Sequence, residues 1–207
     1  MPVSESVMVT NFLNLLSGLL QGDTRTNDEI ARIVLYALVW AFGGLLEAEE
    51  RSKFHLKICQ VVKHSGYPHI LPREFGDSTL FEFYPSACLE KNTEPWSMWM
   101  PAKWTPPKKL LFSSLLIPTM ESVRCEFLLS TIAKAGRSRW PPSFGSSLIV
   151  GSSGTAKTST VLMYLSKLDG QSTVSKRINF SSATTPYGFQ KSIELEVERK
   201  TGKTYCP

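Results

Sequence analysis

The chain has 207 residues, of which 42% are hydrophobic and 20% charged, the composition of an ordinary globular protein of one domain or one and a half. Its four cysteines are far apart and form no C-x-x-C pair, which argues against a structural zinc site or a disulfide framework and favours a reduced, intracellular compartment. The net charge of +5 is uneven, because residues 1–100 carry −4 and residues 101–207 carry +9. This basic half suits an anionic nucleotide, a nucleic-acid surface or a merely solvated face, and the nucleotide is favoured because no dense Lys/Arg block with interleaved aromatics occurs.

The N-terminal region predicts a succession of helices. Apolar residues recur at helical spacing over residues 4–20. Thr26 and Glu29 have the spacing of a capping box, which predicts the start of a second helix. A further helix is expected over Lys53–Val62.

The second helix carries an uncharged run from Ile33 to Leu46. A membrane-spanning helix needs ~20 apolar residues, so this shorter run predicts a buried core helix, with Trp40 and Phe42 in the core. No basic segment followed by a cleavage site opens the chain, so no signal peptide is expected.

Prolines recur through residues 64–118 and leave no room for a long helix. Leu80–Tyr84 alternates as a strand, and Trp96–Met100 is its expected hairpin partner. The aromatic side chains here could stack on bases or a ligand, but covering a small satellite core is the favoured role. The tryptophans of the region are Trp96, Trp99 and Trp104. The histidine spacing fits no metal motif, which favours surface or loop roles for His55, His64 and His69.

Another helix is expected after Pro118. Thr119 is suited to cap it, and Glu121 favours its first turn. The apolar face of this helix consists of Val123, Phe127, Leu128 and Ile132. Gly136 is expected to end the helix, and residues 137–147 are expected to form an exposed loop.

A loop of small residues then lies between an apolar run and an apolar helix pattern. Leu148–Val150 is expected to be a buried parallel strand. The following residues match the phosphate-loop pattern G-x-x-x-x-G-K-[ST], except that Ala156 replaces the second glycine. In such a loop, backbone N–H groups and the positive end of the next helix hold phosphates, Lys157 reaches the terminal phosphates and the Thr158 hydroxyl holds Mg²⁺. The candidate binding residues are Gly151, Ser152, Ser153, Gly154, Thr155, Ala156, Lys157, Thr158 and Ser159. The alternative is a strand–turn–helix without a ligand.

The last stretch predicts one more strand and helix. Lys176–Phe180 is the expected strand, Ser181–Thr185 its hydroxyl-rich end, and Pro186 to about Lys200 the helix. The predicted fold class is therefore α/β. It comprises a helical segment over residues 1–63, a Pro-rich connector with a small β-hairpin over 64–115, and an incomplete P-loop parallel-sheet subdomain over 116–207.

Four stretches together resemble dynein heavy chains. Asn179–Pro186, which follows the GTAKT loop, looks like part of the third AAA+ module of these proteins. Leu35–Glu47 resembles the helix that closes the preceding module, and Leu116–Arg124 the first helix of the third. Glu196–Tyr205 resembles the stretch before the Walker B strand. The Ala form of the loop and the Ser-rich octapeptide favour the axonemal class.

The resemblance implies a set of functional properties. Gly151–Thr158 would be the Walker A loop for ATP or ADP with Mg²⁺, with Lys157 on the β- and γ-phosphates and Thr158 on the metal. Ile117 and Pro118 would touch adenine. The implied partners are the remaining AAA+ modules of the heavy chain and, through them, the dynein complex and microtubules, in the cytoplasm and cytoskeleton of a cilium or flagellum axoneme. No nucleic acid or membrane is expected as a partner.

The sequence departs from the family pattern after the loop. No strand ending in an acidic pair follows it, and the sensors, the module's own lid subdomain and an arginine finger are not found in this sequence. Phosphoryl transfer needs the metal and the attacking water positioned as well as the phosphates held, so we expect binding without hydrolysis by this chain alone. The alternatives are a free-standing P-loop transferase, such as a small-substrate kinase, and a non-catalytic assembly piece with a vestigial loop.

Overall fold

The computed structural model describes residues 4–21, 25–88, 94–101, 103–106, 115–136, 145–170, 173–199 and 205–206. The chain forms two compact units, over residues 1–161 and 162–207. Within the described ranges, none of the helices combines the length and the apolar character needed to cross a bilayer.

Three helices open the first unit. Helix α1 spans Glu5–Leu19, α2 spans Asn27–Gly43 and α3 spans Ala48–His64, so the predicted helices are confirmed. The predicted capping box is present at the start of α2. The Glu29 N–H donates to the Thr26 hydroxyl at 3.3 Å, and the Thr26 N–H donates to the Glu29 carboxylate at 2.7 Å. The hydrogen bond from the Thr26 backbone lowers the pKa of Glu29.

Helix α2 is the buried core helix that its uncharged run predicts. Ile33, Tyr36 and Val39 are almost inaccessible to solvent. Trp40 is half-buried and packs edge-on against another core ring, but Phe42 is 37% exposed, so its predicted place in the core is wrong. Phe42 lies in the last turn of α2, where apolar periodicity alone does not determine which side chains a neighbouring element covers.

Helix α4 spans Met120–Gly136 and begins and ends where the sequence predicts. The Ser122 N–H donates to the Thr119 hydroxyl at 3.2 Å, which confirms the cap. Phe127 is buried, and the other residues of the predicted apolar face are partly buried against the same core.

Helices α1 and α4 pack very closely. A Cβ placed on Gly18 would lie 2.1 Å from the Thr131 carbonyl oxygen, so only glycine fits at this point of α1. Nearby, the Gln21 side-chain amide donates to the Lys134 carbonyl at 3.0 Å. The N-terminal helices and the helix that leads to the phosphate loop therefore share one core.

The connector forms the predicted β-hairpin in a shorter version. Strand β1, Phe83–Pro85, pairs antiparallel with strand β2, Trp96–Met98. The predicted strand over Leu80–Tyr84 is wrong in its first part, because Leu80–Glu82 is a 3₁₀ helix. Thr79 caps that turn, and its own N–H donates to the Glu82 carboxylate at 2.7 Å, so a capping box replaces strand geometry.

Two of the connector tryptophans, Trp96 and Trp99, serve the core, as the sequence favours. Trp96 and Trp99 are buried, and the indole N–H of Trp96 donates to the Ile70 carbonyl at 2.8 Å. The Trp99 ring lies 5.3 Å from that of Phe127. Trp104, in contrast, remains partly exposed.

His55 corrects the expectation of surface or loop histidines. It lies in α3, half-buried, where its Nδ1 accepts the Leu80 N–H at 3.3 Å and its ring packs edge-on against Phe75 at 4.7 Å. Burial lowers the pKa of His55. His64 and His69 are exposed, as predicted.

The second unit contains helix α6, Pro186–Glu194, which Thr185 caps by accepting the Gly188 N–H at 3.1 Å. The predicted continuation of this helix to about Lys200 is wrong, because Glu198–Arg199 (β3) pairs antiparallel with Tyr205–Cys206 (β4). Both sheets among the described residues are antiparallel, so the predicted parallel sheet is not found there. The expected strand Lys176–Phe180 has no hydrogen-bonded neighbour in this part of the chain, and a strand requires one.

Candidate nucleotide-binding site

The segment before the phosphate loop lies against the end of α4. Gly145 has a φ of +61°, and a Cβ on it would lie 3.1 Å from the Gly136 Cα atom. Of the predicted exposed loop, residues 137–144 lie outside the described residues, while Ser146 and Ser147 are exposed. The chain therefore passes close to the end of α4 at Gly145, six residues before the phosphate loop begins.

The expected buried strand Leu148–Val150 is wrong in this structure. Leu148 is 89% exposed and Val150 is 78% exposed, and the segment is not paired with any strand of the described residues. Three apolar residues predict a strand only where neighbouring strands supply hydrogen bonds and cover the side chains. The apolar run therefore approaches the loop as unpaired chain.

The loop backbone takes left-handed geometry at two positions. Gly154 has a φ of +79° and Ala156 a φ of +54°, and Ala156 is the residue that replaces the second glycine of the motif. Alanine in this region is disfavoured by about 1 to 2 kcal/mol, whereas glycine adopts it freely. The loop thus keeps the conformation that its missing glycine would favour.

Lys157 connects the two ends of the loop. Its ammonium group donates to the carbonyls of Gly151 and Ser152 at 2.9 and 2.5 Å, and to the Thr155 hydroxyl at 3.1 Å. The Thr155 hydroxyl itself donates to the Ser152 carbonyl at 2.9 Å. A positive charge is therefore held against the oxygen atoms of a turn made of small residues.

Helix α5, Lys157–Ser166, starts directly at the loop. The first N–H groups of a helix have no acceptor within it and carry partial positive charge, which favours an anion at this end. Thr160 is buried and fixes the first turn, because its N–H and its hydroxyl both donate to the Ala156 carbonyl, at 2.9 and 3.0 Å.

The other predicted site residues are accessible from solvent. Lys157 and Ser159 are half-buried, and the remaining members of the loop, including Thr158, are exposed. Among the described residues, no group of three His, Cys, Asp or Glu side chains could hold a metal ion. The Thr158 hydroxyl fits a Mg²⁺ ion only together with phosphate oxygens, which are the ligands this ion prefers.

The two predicted adenine contacts lie before α4. Ile117 is 53% exposed and Pro118 is half-buried. In the described part of the chain, no hydrogen bond joins this segment to the phosphate loop. Their contact with a base stays a prediction.

Sequence reasoning overlooked the structural roles of two threonines. Thr155 supplies a third partner for Lys157, and Thr160 ties α5 to the loop. For Thr160 the available signal was its position in the helix, because a threonine side chain in a helix commonly donates to the carbonyl four residues earlier. No such signal indicates the role of Thr155, which lies before the helix.

Comparisons with known proteins divide the chain into two matched regions. A family model described as "Dynein heavy chain AAA lid domain" matches residues 1–100, and one described as "P-loop containing dynein motor region" matches residues 104–207. The second match contains the whole phosphate loop.

Axonemal relatives match along the whole chain or nearly all of it. Identity is 33% to rat dynein axonemal heavy chain 5 and 33% to human dynein axonemal heavy chain 8, each over 100% of this chain. It is 35% to the dynein gamma chain of the flagellar outer arm of Chlamydomonas reinhardtii, over 97% of this chain. The chain spans 6%, 4% and 4% of these relatives respectively. Both family models and all three relatives are dynein heavy chains. The chain contains an AAA lid region followed by a P-loop motor region, and it therefore belongs to the dynein heavy chain family.

Proposed function

We propose that this chain binds ATP or ADP with Mg²⁺ as part of a regulatory AAA+ module of a dynein heavy chain. The observation that carries the proposal is the position of Lys157, whose ammonium is held against the Gly151 and Ser152 carbonyls at the start of α5. A fixed cation, small residues and a helix N-terminus converge there, and this combination suits a phosphate chain.

Each residue of the site has a defined task in this proposal. The N–H groups of Gly151–Ser159 surround the phosphates, Lys157 neutralises the β- and γ-phosphates, and Thr158 donates its hydroxyl oxygen to the metal. Ile117 and Pro118 offer an apolar surface to adenine. Mg²⁺, when bound, would offset part of the negative charge of the phosphates.

The proposed site holds nucleotide but does not hydrolyse it in this chain. Hydrolysis needs a group that orients or activates the attacking water, and no acidic pair on a strand follows the loop in the sequence. Binding energy without chemistry can still shift a conformational equilibrium, provided that the two conformations differ in affinity. Such a difference in affinity would give the site a regulatory role.

The proposed setting is a larger assembly. The octapeptide Asn179–Pro186 supports a position at the start of the third AAA+ module, after the lid of the second. The partners would be the other AAA+ modules of the same heavy chain and, through them, the dynein complex and microtubules. The names of the axonemal relatives support a location in the axoneme of a cilium or flagellum, within the cytoskeleton.

A turnover assay on the full chain separates this proposal from its alternatives. We expect bound ATP to remain intact over hours, both alone and with a panel of hydroxyl and amine acceptors. Hydrolysis that requires Lys157, or transfer of the γ-phosphate to an acceptor, would contradict binding without chemistry and favour a P-loop transferase. The absence of any nucleotide binding would instead favour an assembly piece with a vestigial loop.

A further inference from the structure

A cleft in the helical region shares no lining residue with the phosphate loop. It has a volume of about 510 Å³ and lies between the start of α2, the end of α3 and the segment 68–75. Its ionisable lining consists of Asp28, Arg32, Lys63, His69 and Arg73. No residue of this lining belongs to the phosphate loop, so nucleotide binding at the loop does not use the cleft.

The charges of the cleft do not balance. Asp28 already has two partners, since its carboxylate oxygens lie 3.6 Å from the Arg32 guanidinium and 3.3 Å from His69 Nε2. Lys63 and Arg73 are exposed and have no ion-pair partner within the described ranges. Two unpaired cations from different elements therefore face one concavity.

The wall that carries Arg73 is held in place by the core. The Ile70 carbonyl accepts the Trp96 indole N–H at 2.8 Å, and Leu71 is buried beside it. The Phe75 ring packs edge-on against His55 at 4.7 Å and against Phe83 at 5.7 Å. The cleft is consequently formed before any ligand arrives, which reduces the entropy lost on binding.

The uncharged lining distinguishes between two kinds of anion. It includes Pro68, Pro72 and Pro95, together with Leu71 and Phe75. Proline has no N–H group, so the three prolines supply none of the backbone donors that usually surround a phosphate. Apolar walls beside lysine and arginine instead suit carboxylates that alternate with apolar side chains.

We propose that this cleft is a docking site for an acidic peptide segment of a partner protein, in which Asp or Glu residues alternate with apolar residues. The carboxylates would pair with Lys63 and Arg73, and the apolar residues would lie against the proline wall. This inference is independent of nucleotide binding, because it uses none of the same residues.

The test measures binding of fluorescein-labelled peptides to the full chain by anisotropy at low salt. The probe is an eight-residue peptide of alternating Asp and Leu, and its control has Asn in place of Asp. We expect the double variant Lys63→Ala with Arg73→Ala to weaken binding of the acidic peptide at least tenfold. A matched double variant, Lys57→Ala with Lys103→Ala, removes the same charge from exposed positions outside the cleft and is expected to change binding less than twofold.

A charge reversal guards against misfolding as an explanation. The variant Lys63→Glu with Arg73→Glu should lose the acidic peptide and gain a peptide of alternating Lys and Leu, a result that an unfolded chain would not give selectively. The proposal would be overturned if both alanine double variants lost binding equally, or if the Asn peptide bound as tightly as the Asp peptide. It would also be overturned if inorganic tripolyphosphate displaced the acidic peptide completely at a concentration below that of the peptide.

Discussion

The ammonium group of Lys157 donates a hydrogen bond to the Gly151 carbonyl at 2.9 Å, so the two ends of the phosphate loop are in direct contact. The same lysine reaches Ser152 and Thr155, which closes the turn around a single positive charge. This geometry forms although the apolar run before the loop is exposed and unpaired. The shape of the phosphate loop is thus determined by contacts within the loop and with the start of α5.

Replacing Ala156 by glycine should not destabilise the chain. The left-handed φ of +54° disfavours alanine by about 1 to 2 kcal/mol, which offsets the ~0.4–1 kcal/mol of extra unfolded-state entropy that glycine brings. We expect urea unfolding to show no loss, and up to about 1 kcal/mol of gain. The control Ala133→Gly, inside α4, should lose about 1 kcal/mol. Equal losses in both variants would show that the backbone at Ala156 is not left-handed.

Replacing Gly18 by alanine should separate α1 from α4. The added Cβ would lie 2.1 Å from the Thr131 carbonyl oxygen, and backbone cannot move aside as a flexible side chain can. Overpacking of this kind typically costs about 1–3 kcal/mol in the free energy of unfolding. Gly170→Ala, where no atom of the described residues lies within 4 Å of the new Cβ, is the matched control and should change little. Unfolding midpoints that coincide for the two variants would argue against the close packing.

Replacing Arg124 by methionine should be strongly destabilising. Arg124 is 4% exposed and donates to Glu82 at 3.3 Å, to Glu121 at 2.9 Å and to the Phe81 carbonyl at 3.3 Å. Removing one partner of a fully buried ion pair costs about 3–5 kcal/mol. Here Glu82 is 29% exposed and Glu121 is 72% exposed, so water compensates both carboxylates in part and the expected loss is about 1.5–3 kcal/mol. Chemical denaturation checks the loss, with the exposed Arg177→Met as control. A loss no larger than that of Arg177→Met would mean that Arg124 does not connect α4 to the connector.

Acidification should weaken the fold through His55. Its pKa is lowered by burial, and its Nδ1 accepts the Leu80 N–H, so the folded state favours the neutral ring. As the pH falls, the unfolded chain therefore takes up a proton on this ring before the folded chain does. The contribution of His55 to the free energy of unfolding is complete above the unfolded pKa of ~6.5, and it is lost as the pH falls below that value toward the folded pKa. The difference in unfolding free energy between the wild type and His55→Asn should shrink from pH 7.5 to pH 5.5. A difference that stays constant with pH would contradict a neutral, hydrogen-bonded His55.

Local sequence signals predicted the parts of the fold whose causes are local. The capping box at Thr26 and Glu29 located α2, and Thr119 located α4, because each cap depends on residues within one turn. A capping box also lies at Thr79, but the alternating apolar pattern of the next residues indicated a strand, and this prediction was wrong. Leu148–Val150 failed for a different reason, since pairing depends on strands elsewhere in the chain.

In the candidate site, too, the sequence predicted the features with local causes and not the others. Composition and spacing predicted which residues form the loop, and the position of Lys157 at the start of a helix agrees with that prediction. The sequence does not predict the left-handed geometry at Ala156, because only glycine commonly signals a positive φ. It does not predict the three contacts of Lys157 either, since these depend on the backbone torsions of the loop. Adenine contacts depend on the approach of distant segments, and for Ile117 and Pro118 they stay a prediction.

Nucleotide binding is tested most directly by titrating the full chain with a fluorescent ADP analogue in the presence of Mg²⁺. Lys157→Ala removes the cation of the loop, and Lys57→Ala removes an equal charge from an exposed site on α3. We predict saturable binding to the wild type and to Lys57→Ala, and at least tenfold weaker binding to Lys157→Ala, since a charge-assisted contact with phosphate contributes about 1.5–3 kcal/mol. Equal affinity of Lys157→Ala and the wild type, or no binding by either, would contradict the assignment of this loop as a nucleotide site.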